Sequence, residues 1–245
     1  MNEIYTKTFE IGTSAVDLYD NIRPSSMLQL FQEMGTDHVA LLHMDRDYLV
    51  EHYHACWILA RVWYQVNRPI HAGEMLTIKT WHRGAESLIV YRDYDLLVGD
   101  EPVGEAVAAW VVADIENRKM LRPSAIENIA VSKPPEQVKQ RQLRLIRSPK
   151  EKKHVYDRTV RYSDLDVNGH MNNTKYADVL MDALSAQEME GKFVSQLQLN
   201  YSQECKAGEC MEISRLLEAD RCYIDGCSDD GKRRFEATLQ FQPYI

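Results

Sequence analysis

Three side chains able to move protons or hold oxygen atoms stand within five positions: Asp166, Asn168 and His170, in Asp166-Val-Asn-Gly-His170. If the segment is extended, they alternate and project to one side. His170 can take or give a proton near neutral pH. Asp166 would orient the imidazole or stabilise its charged form. Asn168 would donate to a carbonyl oxygen or hold a carboxylate. An amphipathic run begins at Met171, so the segment is expected to end at a helix start, where unpaired N–H groups suit an oxyanion. Asp, Asn and Gly before a helix are also ordinary turn and cap residues. The local pattern leaves both readings open.

The elements that must position these residues form two similar series. In the first half, residues 5–12 read as a strand and 25–42 as a helix. Ser26 and Gln29 have capping-box spacing, and Met27, Leu30, Phe31 and Met34 recur at helical spacing. Strand patterns follow at 56–67, 75–81, 88–98 and 103–115. Residues 117–153 carry four prolines and read as a connection, with a short helix at 136–146. The second half predicts a strand at 154–162 and a helix at 171–190, with Tyr176, Val179, Leu180, Ala183 and Leu184 on one stripe. Strands follow at 193–201, 211–217, 221–227 and 233–242. A long helix followed by antiparallel strands is the hot-dog order. The expectation is an α+β tandem double hot-dog, each half a long helix wrapped by an antiparallel sheet. Its parts would be an N-terminal domain (1–118), a basic linker (119–153) and a C-terminal catalytic domain (154–245).

The pattern Asp-Leu-x-x-Asn occurs before both helices, at Asp17–Asn21 and at Asp164–Asn168. Aligned on it, Tyr19 faces Asp166 and Arg23 faces His170. The first half would then keep the turn but lack both the acid and the imidazole.

The run Ser163-Asp-Leu-Asp-Val-Asn-Gly-His170-Met-Asn-Asn173-x-Lys-Tyr176 resembles the active-site motif of the acyl-acyl-carrier-protein thioesterases of plants and bacteria. Leu199-Asn-Tyr201-Ser-Gln-Glu204-Cys205 resembles the second motif of that family, Tyr-x-x-Glu-Cys. Trp57-Ile-Leu-Ala-Arg61 resembles, less specifically, a Trp-containing strand near its acyl pocket. The resemblance implies hydrolysis of a fatty acyl-carrier thioester without a cofactor. It places the catalytic set at Asp166, Asn168, His170 and Glu204, with Cys205 a disputed member. It also gives the acyl pocket to the first half, where Met27, Leu30, Phe31, Met34, Trp57 and Arg61 are candidates. Core packing explains the apolar ones equally well.

Two mechanisms fit. In one, Cys205 attacks, activated by His170. In the other, water attacks with Glu204 and His170 sharing the base role. On a regular strand Glu204 and Cys205 point to opposite faces. Glu204 lies in the polar phase and Cys205 in the apolar phase, where a thiol's pKa rises. Water attack is the favoured expectation.

The net charge of −8 disfavours nucleic acid as a partner. Between Arg118 and Lys153, however, eleven basic and three acidic residues give a local +8. Arg141, Arg144 and Arg147 are therefore candidates for docking an acidic acyl carrier protein. Five irregularly spaced cysteines suit free thiols in a reducing cytoplasm better than disulfides. No apolar run is long enough to span a bilayer. A monomer or a homodimer is expected. His52-Tyr-His54-Ala-Cys56 alternates possible ligands as on one strand, but with no second cluster it is weak for a metal, and none is expected. The competing functions are an acyl-coenzyme A thioesterase of the same fold and a non-catalytic acyl-binding or interaction protein.

Overall fold

A computed structural model describes residues 4–126, 129 and 141–244. In chain order the elements are β1 (Tyr5–Glu10), α1 (Pro24–Leu41), α2 (Arg46–Tyr53), β2 (Ala55–Val66), β3 (Met75–Glu86), β4 (Ile89–Val98), β5 (Glu101–Asp114) and β6 (Met120–Leu121). There follow β7 (Lys153–Thr159), α3 (Lys175–Asp182), α4 (Ala186–Met189), β8 (Lys192–Tyr201), β9 (Cys210–Leu217), β10 (Arg221–Ser228) and β11 (Arg233–Pro243). The chain forms two compact units. The first contains residues 1–10, 30–64 and 74–143, and the second residues 11–29, 65–73 and 144–245.

In the first unit the strand order is β1-β3-β4-β5-β2, with β6 beside β5. β4 is buried on both faces from Val90 to Tyr94, because α1 residues cover one of them. There Phe31 and Tyr94 pack with ring centres 4.7 Å apart, and the Tyr94 hydroxyl donates to the Phe31 carbonyl at 3.2 Å. α1 starts at Pro24, whose missing N–H costs nothing in a first turn. Ser26 is thus inside the helix, and the expected cap at Ser26 is displaced. α2 was not expected. Asp45 caps it by accepting from Tyr48 N at 2.9 Å, and it ends at His54 in the left-handed region. His52, His54 and Cys56 therefore do not share a strand.

Part of the expected connection packs into the first unit. β6 pairs with β5, and Ile126 and Ile129 join the core. Of the helix expected at 136–146, residues 136–140 lie outside the described residues and 141–146 form no helix. Arg83 donates to the Arg141 carbonyl at 2.9 Å and Arg61 to the Leu143 carbonyl at 2.7 Å. These side chains take carbonyls that a helix would use internally.

In the second unit the order is β8-β11-β10-β9-β7. Tyr176 of α3 packs edge-on against Tyr201 and Phe235, both at 5.4 Å, and Tyr156 of β7 donates to the Val179 carbonyl at 2.7 Å. The single helix expected at 171–190 is instead α3 and α4. Its start is lost because Met171 N donates to the Cys205 carbonyl at 2.9 Å, which ties that residue into a bridge. It breaks at Ser185, which forms a reciprocal capping box with Glu188 and begins a new turn.

Candidate active site

Asp166 to His170 form a tight turn, not an extended segment. Leu165 and Met171 pair across it, Asp166 N donates to the His170 carbonyl at 2.8 Å, and Gly169 N donates to the Asp166 carbonyl at 3.0 Å. Gly169 has φ +75°, a conformation that suits glycine. Asp166 Oδ1 accepts from Asn168 N at 2.8 Å and from His170 N at 3.4 Å, while Asn168 Nδ2 reaches Asp166 Oδ2 at 3.4 Å. Asp166 thus holds the backbone that carries the imidazole; its described hydrogen bonds do not include the ring.

The helix start is also not where the sequence pattern put it. α3 begins at Lys175, and several N–H groups around its start are committed. Asn172 N donates to the Asp164 carbonyl, Thr174 N to Asn172 Oδ1 and Lys175 N to the Asn172 carbonyl. These three are not available to an oxyanion.

The second motif meets the turn directly. His170 pairs with Lys206 as an isolated bridge, which brings the residues just beyond β8 alongside. His170 Nε2 lies 3.4 Å from Glu204 Oε2, with side chains 17% and 40% exposed. The carboxylate therefore meets both the ring and solvent. Cys205 points the other way. It is fully buried, its Sγ lies 3.4 Å from Met211 Sδ, and burial pushes its thiol up to about 11.

The repeat is real but offset by two residues from the Asp-Leu-x-x-Asn alignment. Val16 and Ile22 bridge as Leu165 and Met171 do. Asp17 Oδ1 accepts from Tyr19 N at 2.9 Å and Asn21 N at 3.0 Å, and Asp20, at φ +61°, stands where Gly169 does. Asp17 thus matches Asp166, Tyr19 matches Asn168 and Asn21 matches His170. The first turn does have its acid. What it lacks is the imidazole: buried Asn21 instead donates to the Tyr244 hydroxyl.

The first unit contains a cavity of about 180 Å³. Gln32, Gly35, Thr36 and Val39 line it from α1 at helical spacing, with Trp57 on β2 opposite them. Trp57 donates from Nε1 to the Met44 carbonyl at 2.9 Å. Met27, Leu30, Phe31, Met34 and Arg61 are not among its lining residues. Met27, Phe31 and Met34 are core side chains, 3% exposed or less. His82, Arg92 and Trp110, which do line it, went unnoticed in the sequence. The available signal was an arginine inside the strand pattern at 88–98 and a histidine directly after the one at 75–81.

Arg141, Arg144 and Arg147 are exposed. Arg141 stacks on Trp63 at 3.7 Å. Among the described residues no cluster of three or more His, Cys, Asp or Glu side chains is placed to hold a metal ion.

Solved structures share this architecture. An acyl-ACP thioesterase from Bacteroides thetaiotaomicron superposes with a TM-score of 0.84 at 18% identity, covering 98% of each chain. The 12:0-ACP thioesterase from Umbellularia californica gives 0.80 at 18% identity, covering 99% of this chain and 98% of that one. The fold is α+β, two hot-dog units in one chain. Residues 2–128 match the acyl-ACP thioesterase N-terminal domain and residues 147–242 the C-terminal domain, so the chain belongs to the acyl-ACP thioesterase family. Among curated relatives, the chloroplastic oleoyl-acyl carrier protein thioesterase of Coriandrum sativum is 20% identical over 88% of this chain and 63% of its own length. The palmitoyl-acyl carrier protein thioesterase of Cuphea hookeriana is 23% identical over 88% and 55%. The chain thus spans a little over half the length of these relatives.

Proposed function

We infer that this chain hydrolyses the thioester of a fatty acyl group carried on an acyl carrier protein, releasing the free fatty acid. The observation that carries the reading is the contact between His170 and Glu204, at 3.4 Å and open to solvent on the carboxylate side. Such a pair can take a proton from water as it attacks the thioester carbonyl, and return it to the leaving thiolate. Asp166 and Asn168 position the ring through the turn. Cys205 is a poor nucleophile here, because its raised thiol leaves on the order of one thiolate in ten thousand at neutral pH. Water is therefore the attacking group. The first half holds the acyl chain, a role its cavity supports. The five cysteines are all unpaired, which fits a reducing compartment such as the cytoplasm.

The test is release of free thiol from acyl-carrier protein by the purified chain. Turnover should fall by about a hundredfold or more in His170→Ala and by a comparable factor in Glu204→Gln. No thiol release from any acyl-carrier substrate would defeat the reading. The same assay on acyl-coenzyme A distinguishes the carrier.

A further inference from the structure

The cavity of the first unit has polar donors that a plain alkyl chain would leave unused. Val90 and Arg92 alternate on β4 and share one face, where His82 stands opposite Arg92 on β3 and Trp110 opposite Val90 on β5. Arg92 is 4% exposed and remains a cation. Its described hydrogen bonds all leave from Nη1, to His38 Nδ1 at 2.8 Å and Thr80 Oγ1 at 3.2 Å. Among the described residues no carboxylate forms an ion pair with it; neighbouring Asp93 is held by Arg83 at 2.5 Å. Among the described residues Nε and Nη2 are thus left for another acceptor. Nearby, the buried Nε1 of Trp110 has no acceptor among the described residues. Gly35 of α1 stands beside the guanidinium, where a Cβ would make an ordinary contact of 3.8 Å with Arg92 Nε. Asp45 and Arg46 also line the cavity and add no net charge to it.

Buried donors need an oxygen, from water or from a ligand. An unsubstituted chain would displace water and leave them unmatched, whereas an oxygen on the chain would satisfy them. A site built to hydrogen-bond a group discriminates strongly against ligands lacking it. We propose that this cavity selects acyl chains bearing an oxygen far from the thioester (hydroxyl, oxo or carboxylate), with Arg92 and Trp110 as the specificity-determining donors. The proposal rests on the reading that the first half holds the acyl chain.

Non-hydrolysable amide-linked acyl pantetheines of equal length, ending in methyl, hydroxyl or carboxylate, test it by calorimetric titration. The oxygen-ended analogues should bind at least about tenfold more tightly than the methyl-ended one. Trp110→Phe removes one donor with little change of shape and should reduce that preference several-fold. Arg92→Met should abolish it. Arg92 also holds His38 and Thr80, so a misfolded Arg92→Met leaves Trp110→Phe and the wild-type ratio to decide. Equal or tighter binding of the methyl-ended analogue overturns the proposal, as does a preference unchanged in Trp110→Phe. If no analogue binds while acyl-carrier thioesters are still hydrolysed, the cavity proposal falls and the thioesterase reading stands. If thiol release also fails, the reading itself has failed.

Discussion

His170 and Asn21 occupy matching places in two turns of the same construction, and only the second turn carries an imidazole. Each turn rests on an aspartate that accepts backbone N–H groups, Asp17 in one and Asp166 in the other. Asp17→Ala and Asp166→Ala should each destabilise the chain by about 1 kcal/mol, measured by denaturant unfolding. Asp166→Ala should in addition lower kcat with little change in KM, because it loosens the residue carrying the imidazole; equal kcat loss in both variants would contradict this. Cys205→Ala should retain most of the turnover that His170→Ala loses. The residue types of this site stood out in the sequence, and so did the opposite facing of Glu204 and Cys205. The register of the repeat did not. Asp-Leu-x-x-Asn matches letters, but the turns are aligned by their hydrogen bonds, and a pattern of five residues does not say which aspartate accepts them.

The strands were legible because runs of branched and aromatic residues bounded by turn residues specify them. The helices were less so. α2 is short and polar, and its signal is little more than the Asp45 cap. The face of α1 that lines the cavity carries Gln32, Gly35 and Thr36. Small and polar residues read as solvent-facing, so this face was passed over in favour of the apolar stripe, of which Met27, Phe31 and Met34 are core side chains. The break between α3 and α4 depends on Ser185 and on Glu188, which Arg215 also holds through two hydrogen bonds at 2.7 and 2.9 Å. Arg215 pulls the Glu188 carboxyl down to about 2. A depressed folded-state value adds stability above the unfolded value near 4.3, and that stability is lost as pH falls toward 2. The stability gap between wild type and Glu188→Gln should therefore be full at pH 6 and shrink between about pH 5 and pH 2; a pH-independent gap would refute the assignment. In β10, Gly226 lies against the Phe235 ring, which a Cβ would overlap. Gly226→Ala should cost about 1–3 kcal/mol in denaturant unfolding.

At the scale of the whole chain, charge is distributed unevenly enough to be tested. The net charge of −8 opposes approach of an acidic carrier, while the stretch from Arg118 to Lys153 carries +8. A carrier-docking role for that stretch predicts an effect on KM for the carrier-bound substrate, since rim charges act on encounter more than on chemistry. Arg141 is the weakest test of the three candidates. Its guanidinium covers Trp63, so reversal there changes packing as well as charge. Arg144 and Arg147 are exposed, and their reversal changes little else. Arg144→Glu combined with Arg147→Glu should raise KM for acyl-carrier protein by about tenfold or more and leave hydrolysis of a small acyl thioester within about twofold. Added salt should weaken use of the carrier by the wild type and have little effect in the double variant, because screening and charge reversal remove the same attraction. A parallel loss on both substrates would mean that the two arginines support the fold or the site rather than the encounter.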